Sequence, residues 1–224
     1  MPGIKIHNTN KSIKVNNIFC VGKNYYEHIE ELGGNAKPGE PIIFLKPNSS
    51  VIHNKETVSI PVINKKSISN DLQQELELVI VISKNGKDIS EENAKDFILG
   101  YAIGLDMTLR DVQSEAKKNG NPWAVSKGFF TSAPVSEIIL KKLVKDPMNL
   151  ELSLFINEIR KQIINTGLML FNIYKLISYI SSVFSIQKGD LIFTGTPKGV
   201  SKLKRNDVIK AKLDKYINLE VRVN

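Results

Sequence analysis

The chain is poor in the residues that staple or anchor a protein. Cys20 is its only cysteine, so no internal disulfide can form and a reducing compartment is expected. No uninterrupted apolar stretch approaches the roughly 20 residues that a membrane helix needs. The most apolar part, 168–184, is broken by Asn172, Lys175 and several serines. Residues 1–6 lack the apolar centre of a secretory signal. A cytoplasmic protein without membrane contact is the resulting expectation. There is no glycine-rich nucleotide loop of the usual pattern, and no organic cofactor is expected.

Arginine is scarce as well. The net charge of +8 comes from 31 basic residues, of which only Arg110, Arg160, Arg205 and Arg222 carry a guanidinium. Nucleic-acid recognition leans on that planar, bidentate group. The lysines are scattered, densest at Lys65-Lys66, Lys117-Lys118 and 202–205. The basicity therefore reads as compositional bias, with no nucleic-acid partner. What is present is ordinary for a globular chain: 224 residues, 42% hydrophobic and 24% charged, enough for one large domain that folds without staples.

Periodicity gives many short strands and few helices. Residues 4–7 and 15–21 read as opening strands, and 24–32 as a helix stopped by Gly33-Gly34. Further strands are expected at 42–45, 58–63, 76–83 and 101–107. Asn85-Gly86 signals a hairpin or tight turn, and Ser90 a cap for a helix through Phe97 that ends near Gly100. Strands 150–156 and 160–164 meet across Asn157-Glu158. A helix at 170–184 faces inward through Ile173, Leu176, Ile177, Ile180 and Phe184, and 191–194, 208–213 and 217–223 close the chain as strands. With no regular βαβ alternation, the fold class is mixed α/β and β-rich. Residues 1–17 read as a short N-terminal extension and 18–224 as the main domain.

The sharpest local feature is Glu75-Leu76-Glu77-Leu78-Val79-Ile80-Val81-Ile82. In a strand, Glu75, Glu77, Val79 and Val81 share one face, and Leu76, Leu78, Ile80 and Ile82 the other. The two carboxylates lie roughly 6–7 Å apart along the backbone and enter a strand that is apolar on both faces. They read either as a solvated strand end paired with lysines, or as ligands whose repulsion a divalent cation relieves. Asp106 follows the apolar run 101–105; there it either caps a turn or adds a third carboxylate. Three carboxylates without His or Cys would select a hard ion, Mg²⁺ or Mn²⁺. On a helix, His28 and Glu31 share a face. That pair is either an ordinary surface contact or a general base oriented by a carboxylate. His7 and His53 have no comparable setting, and Cys20 reads as strand packing.

The further stretches Val21-Gly22-Lys23-Asn24-Tyr25, Phe44-Leu45-Lys46-Pro47 and 104–113 join these, followed by Pro122-Trp123, Ser126-Lys127-Gly128-Phe129 and 194–200. In this order and spacing, from about residue 18 to the end, the chain resembles the fumarylacetoacetate hydrolase family. The likeness is to its single-domain branch of acylpyruvate hydrolases and oxaloacetate decarboxylases. The resemblance implies a β-roll with few short helices, a homodimer, and Mg²⁺ or Mn²⁺ held by Glu75, Glu77 and Asp106. It puts His28 and Glu31 on the catalytic dyad and Lys127 against the substrate. Arg110 and Gln113 would help hold that substrate, and Thr196 would contact its carboxylate. Lys46 either binds substrate or packs behind the metal. One departure stands out: many relatives carry His just before the first metal glutamate, where this chain has Gln73-Gln74.

The implied function is a Mg²⁺-dependent hydrolase or lyase that cleaves C–C bonds of short 2-oxo acids through a metal-bound enolate. Acylpyruvate hydrolysis and oxaloacetate decarboxylation are its two forms, with tautomerisation or isomerisation as a variant on the same site. The alternatives are an isomerase or decarboxylase of longer unsaturated 2-oxo diacids in aromatic catabolism, of the 2-hydroxyhepta-2,4-diene-1,7-dioate isomerase kind, or a catalytically silent metal-binding scaffold. Residues 28–34, beside two glycines and the loop 35–40, are expected to act as a lid over bound substrate.

Overall fold

Two sheets carry the fold of this computed structural model, which describes residues 2–34 and 39–224. Gly3–Lys5 (β1) and Ser12–Lys14 (β2) form a small antiparallel hairpin. Next come Ile18–Gly22 (β3), the helix Tyr26–Glu31 (α1) and Ile42–Lys46 (β4). The long strands Leu76–Ile82 (β5) and Ile98–Leu105 (β6) precede two helices, Arg110–Lys118 (α2) and Ala124–Lys127 (α3). Ile139–Leu140 (β7), Glu151–Ile156 (β8) and Ile159–Asn165 (β9) lead to the helix Ile173–Val183 (α4). Leu191–Phe193 (β10), Val208–Leu213 (β11) and Ile217–Val223 (β12) complete the chain.

The first sheet has the order β7-β6-β5-β10-β3-β4, and only the β10–β3 pairing is parallel. The second runs β9-β8-β11-β12, with the short strand Thr57–Val58 added at its edge. Every residue of β5 is buried, which is why its apolar run is nearly continuous. Leu76, Leu78, Ile80 and Ile82 enter the larger core with Leu152, Leu154, Ile209, Leu219 and the inner face of α4. Val79 and Val81 enter a second core with Ile4, Ile13, Val15, Ile18, Cys20, Leu191 and Phe193. The opening hairpin is thus packed into the domain through Ile4, Ile13 and Val15. Gly104 sits opposite Glu77; a Cβ there would come within 2.5 Å of Phe193 and 2.6 Å of Val79, so only glycine lets these chains approach.

Helix α4 starts where Asn172 accepts hydrogen bonds from the Tyr174 and Lys175 amides, and it buries Ile173, Leu176, Ile177 and Ile180. The hairpin β8–β9 turns through Asn157 and Glu158, both at positive φ, the backbone of a tight hairpin turn. Three expectations are corrected. No helix runs from Ser90: a single 3₁₀ turn, Ala94–Phe97, hands over directly to β6, which contains Gly100. A side chain at Gly100 would come within 2.2 Å of the Ile139 carbonyl, so this glycine serves close strand pairing and stops no helix. Asn85-Gly86 does not close a β5–β6 hairpin, because Gly86 instead exchanges backbone hydrogen bonds with Ile186. The stretch 58–63 divides at Pro61 into Thr57–Val58 and Val62–Ile63, which pair with different partners. Residues 35–38 of the loop beside the expected lid lie outside the described residues.

Candidate metal and acid–base site

Antiparallel pairing of β5 with β6 sets Leu76 opposite Leu105. The register continues past the strand ends, where the Asp106 amide donates to the Glu75 carbonyl at 2.8 Å. Glu75, Glu77 and Asp106 are therefore drawn together by sheet geometry. Each is at least 95% buried, and one carboxylate oxygen from each lies within 4.8 Å of the others. Such a cluster cannot stay fully ionised without compensation. Burial and the charges of Asp106 and Glu75 push the Glu77 carboxyl well above its usual range, although the Gly195 amide, 2.7 Å away, opposes this.

Glu75 is pulled the other way. Burial would raise its carboxyl, but Lys127, Arg110 and His28 outweigh that and hold it well below the usual range. Arg110 grips one Glu75 oxygen and the Lys127 ammonium the other at 2.7 Å. The same ammonium lies 2.7 Å from Asp106 Oδ2 and 2.7 Å from Thr108 Oγ1. Asp106 Oδ1 is 2.7 Å from Lys46 Nζ but in an orientation that makes no hydrogen bond, so this buried oxygen has no hydrogen-bond partner. Three buried carboxylates whose oxygens converge in this way fit a hard divalent cation, for which oxygen is the preferred donor.

The expected dyad is also assembled. Helix α1 ends at Gly33, φ +76°, whose amide bonds the Glu30 carbonyl while that of Gly34 bonds Ile29. This short helix holds His28 Nδ1 2.9 Å from Glu31 Oε2. Since a carboxylate only accepts, Nδ1 carries the proton and Nε2 is left as the basic nitrogen. The other Glu31 oxygen accepts the Gly199 amide at 2.9 Å, so the dyad is anchored to the loop after β10.

One small cavity gathers these groups: His28, Glu75, Glu77, Arg110, Gln113, Lys127 and Thr196 all line it, walled by Phe44 and Trp123. Arg110 is held by Gln73 through Nε at 2.9 Å and by Gln113 at 2.8 Å; Gln73 in turn donates to Asp71. Lys46 does not reach this cavity. Its ammonium is turned onto Asp106 and the carbonyls of Lys127 and Met107, behind the acidic cluster.

Two residues without a sequence signal complete the scaffold. Gln162, buried on β9, donates to Thr196 Oγ1 and the Pro197 carbonyl, both at 3.0 Å, and accepts the Leu76 amide at 3.2 Å. Asn24 bonds the Thr194 carbonyl at 2.7 Å and both backbone groups of Phe171. Gly195 follows at φ +96°, where a Cβ would come within 2.7 Å of Asn24. The turn 194–197 is thereby locked with its amide aimed at Glu77.

Residues 17–224 match the fumarylacetoacetate hydrolase C-terminal family. The chain belongs to that family. It is 42% identical to the mitochondrial oxaloacetate tautomerase FAHD1 of Bos taurus, over 92% of this chain and 91% of that one. It is 46% identical to the mitochondrial oxaloacetate decarboxylase of Dictyostelium discoideum, over 86% of each. A crystal structure of fumarylpyruvate hydrolase from Pseudomonas aeruginosa in complex with Mn²⁺ and pyruvate superposes with a TM-score of 0.93 at 32% identity. That match covers 99% of this chain and 95% of that one. The chain is accordingly an enzyme of this family with its mixed, β-rich fold. Among the described residues no helix is long and apolar enough to cross a membrane.

Proposed function

We propose that this enzyme acts on short 2-oxo acids with Mg²⁺ or Mn²⁺ bound by Glu75, Glu77 and Asp106, cleaving a C–C bond so that a pyruvate enolate leaves. The observation that carries the reading is the joining, in one cavity, of Glu75 and Glu77, two members of a buried three-carboxylate cluster, with an oriented imidazole. A bound divalent ion supplies Lewis acidity toward the negative charge that develops at the keto oxygen. The protein's own groups do the rest. His28 Nε2 takes a proton from water, and Glu31 stabilises the imidazolium through Nδ1. The hydroxide adds to the distal acyl carbonyl of an acylpyruvate, and the bond to the enolate carbon breaks. Lys127 is placed to stabilise the enolate charge and to return a proton to carbon. Arg110, held planar by Gln73, Gln113 and Glu75, and Thr196, held by Gln162, orient the substrate carboxylate.

Oxaloacetate decarboxylation produces the same enolate by loss of CO₂ and needs no activated water. Keto–enol interconversion of oxaloacetate is the second reading, favoured by the similarity to a relative of that name; it moves a proton between C3 and the keto oxygen and breaks no C–C bond. The test is pyruvate release from acetylpyruvate and oxaloacetate by protein stripped of metal and then resupplied. Turnover restored by Mg²⁺ or Mn²⁺ supports the reading. Decay of enol-oxaloacetate absorbance without pyruvate release selects the tautomerase instead.

The proposed assembly is a homodimer. β4 is a sheet edge with Ile42 and Leu45 exposed, beside an apolar groove of about 600 Å³, and such an edge calls for cover. Light scattering at the mass of one chain would contradict it.

A further inference from the structure

The site has two positive groups without an assigned task. Lys117 lines the cavity together with Lys23, Arg110 and Lys127. Arg110 and Lys127 are neutralised by Glu75 and Asp106. Among the described residues Lys117 and Lys23 make no ion pair. Nor does helix α2 supply a counter-charge at one-turn spacing, since Gln113, Ser114, Gly120 and Asn121 occupy those positions around Lys117. The helix's own acids are committed elsewhere: Asp111 to Ser69 and Asn70, Glu115 to Asn119.

Lys117 is nevertheless placed. Its ammonium lies 4.9 Å from the centre of the Trp123 ring, and Trp123 packs edge-on against Phe44, 5.7 Å between centres. The aromatic wall fixes the stem and offers no full negative charge. Surrounding protein, then Arg110 and Lys127, push the Lys117 ammonium below its usual value; Glu75 opposes this and Lys23 adds to it. Of the four cations in the cavity, Lys117 and Lys23 are the two left without an ion pair, which leaves them to an incoming anion. Lys23 reaches the same cavity from a left-handed backbone conformation, φ +60°, which a side chain adopts at some cost.

We propose that Lys117, with Lys23, binds the distal carboxylate of a 2-oxo diacid, so that the site selects dicarboxylic over monocarboxylic 2-oxo acids. This rests on the reading that the 2-oxo carboxylate end of the substrate occupies the acidic cluster. Arg110, Gln113 and Thr196 then serve that end, and the two unpaired lysines serve the other.

The test uses two non-cleaved ligands of equal length, 2-oxoglutarate and 2-oxopentanoate, which differ by one terminal carboxylate. Their dissociation constants are measured by calorimetry on full-length protein with Mg²⁺. The wild type is expected to bind the diacid at least 10-fold tighter. Lys117→Met is expected to reduce that ratio below 3 while leaving 2-oxopentanoate within twofold, and Lys117→Arg to retain it. A wild-type ratio near one, no measurable binding of the diacid, or a ratio unchanged in Lys117→Met overturns the proposal. Lys117 is an exposed residue of a surface helix, so matched melting temperatures establish that the variants fold. Failure of turnover with a preserved ratio would sink the proposed reaction and not this selectivity. A wild-type ratio near one with intact turnover would do the reverse.

Discussion

Gln162 accepts the backbone amide of Leu76 at 3.2 Å, and Leu76 is the residue between Glu75 and Glu77. The Gln162 Nε2 group donates to Thr196 and Pro197. A buried side chain from the second sheet thus fixes the distance between the acidic strand and the turn 194–197. Gln162→Leu would leave the Leu76 amide and the Pro197 carbonyl unsatisfied, at about 1–3 kcal/mol for such a buried group. A melting temperature lower by roughly 5 °C and a raised KM for 2-oxo acids are expected. A variant with unchanged melting and KM would show that Gln162 positions nothing.

Glu77 illustrates a site held against its own stability. Burial and two neighbouring carboxylates disfavour its ionised form. In metal-free protein, Glu77→Gln removes that repulsion and is expected to melt no lower than the wild type. Mg²⁺ or Mn²⁺ should raise the melting temperature of the wild type and leave the variant unmoved, and turnover should fall by about 10³-fold or more. A metal-induced shift that survives in the variant would contradict the ligand assignment.

Asp111 ties the loop before β5 to helix α2. Burial raises its carboxyl, but hydrogen bonds from Ser69, Asn70 and Val112 outweigh this and hold it below the ordinary aspartate range. The fold therefore favours the charged form. Its stabilisation is fully present above the unfolded value, about pH 4, and is lost as pH falls through the folded one. Asp111→Asn should melt below the wild type at pH 7, with the gap narrowing toward pH 3. A gap independent of pH would exclude the carboxylate as its source.

What could be read directly was set by local pattern. β5 announced itself because burial on both faces leaves a continuous apolar run, and α4 because its apolar residues recur at helical spacing on one face. Glu75, Glu77, Asp106, His28 and Glu31 were legible through strand alternation, helical spacing and family likeness. Helices α2 and α3 were not: α2 buries only Gln113, so it carries no apolar period. Gln162 and Asn24 escaped because their partners are 86 and 170 residues away, a separation no local pattern encodes. Lys117 reads only as part of a basic pair, and for Lys46 the sequence leaves substrate contact and packing behind the metal both open, while the structure sets its ammonium on Asp106. In each case the tertiary partner decides the role, and composition is silent about it.

The most direct test of the account is to measure both pyruvate-releasing reactions in His28→Ala with Mg²⁺ present. Water activation is needed only for hydrolysis. Acetylpyruvate turnover should therefore fall by about 10²-fold or more, while oxaloacetate decarboxylation stays within about fivefold of the wild type. Equal loss of both activities, or loss of neither, would contradict the assignment of His28 as the base that activates water.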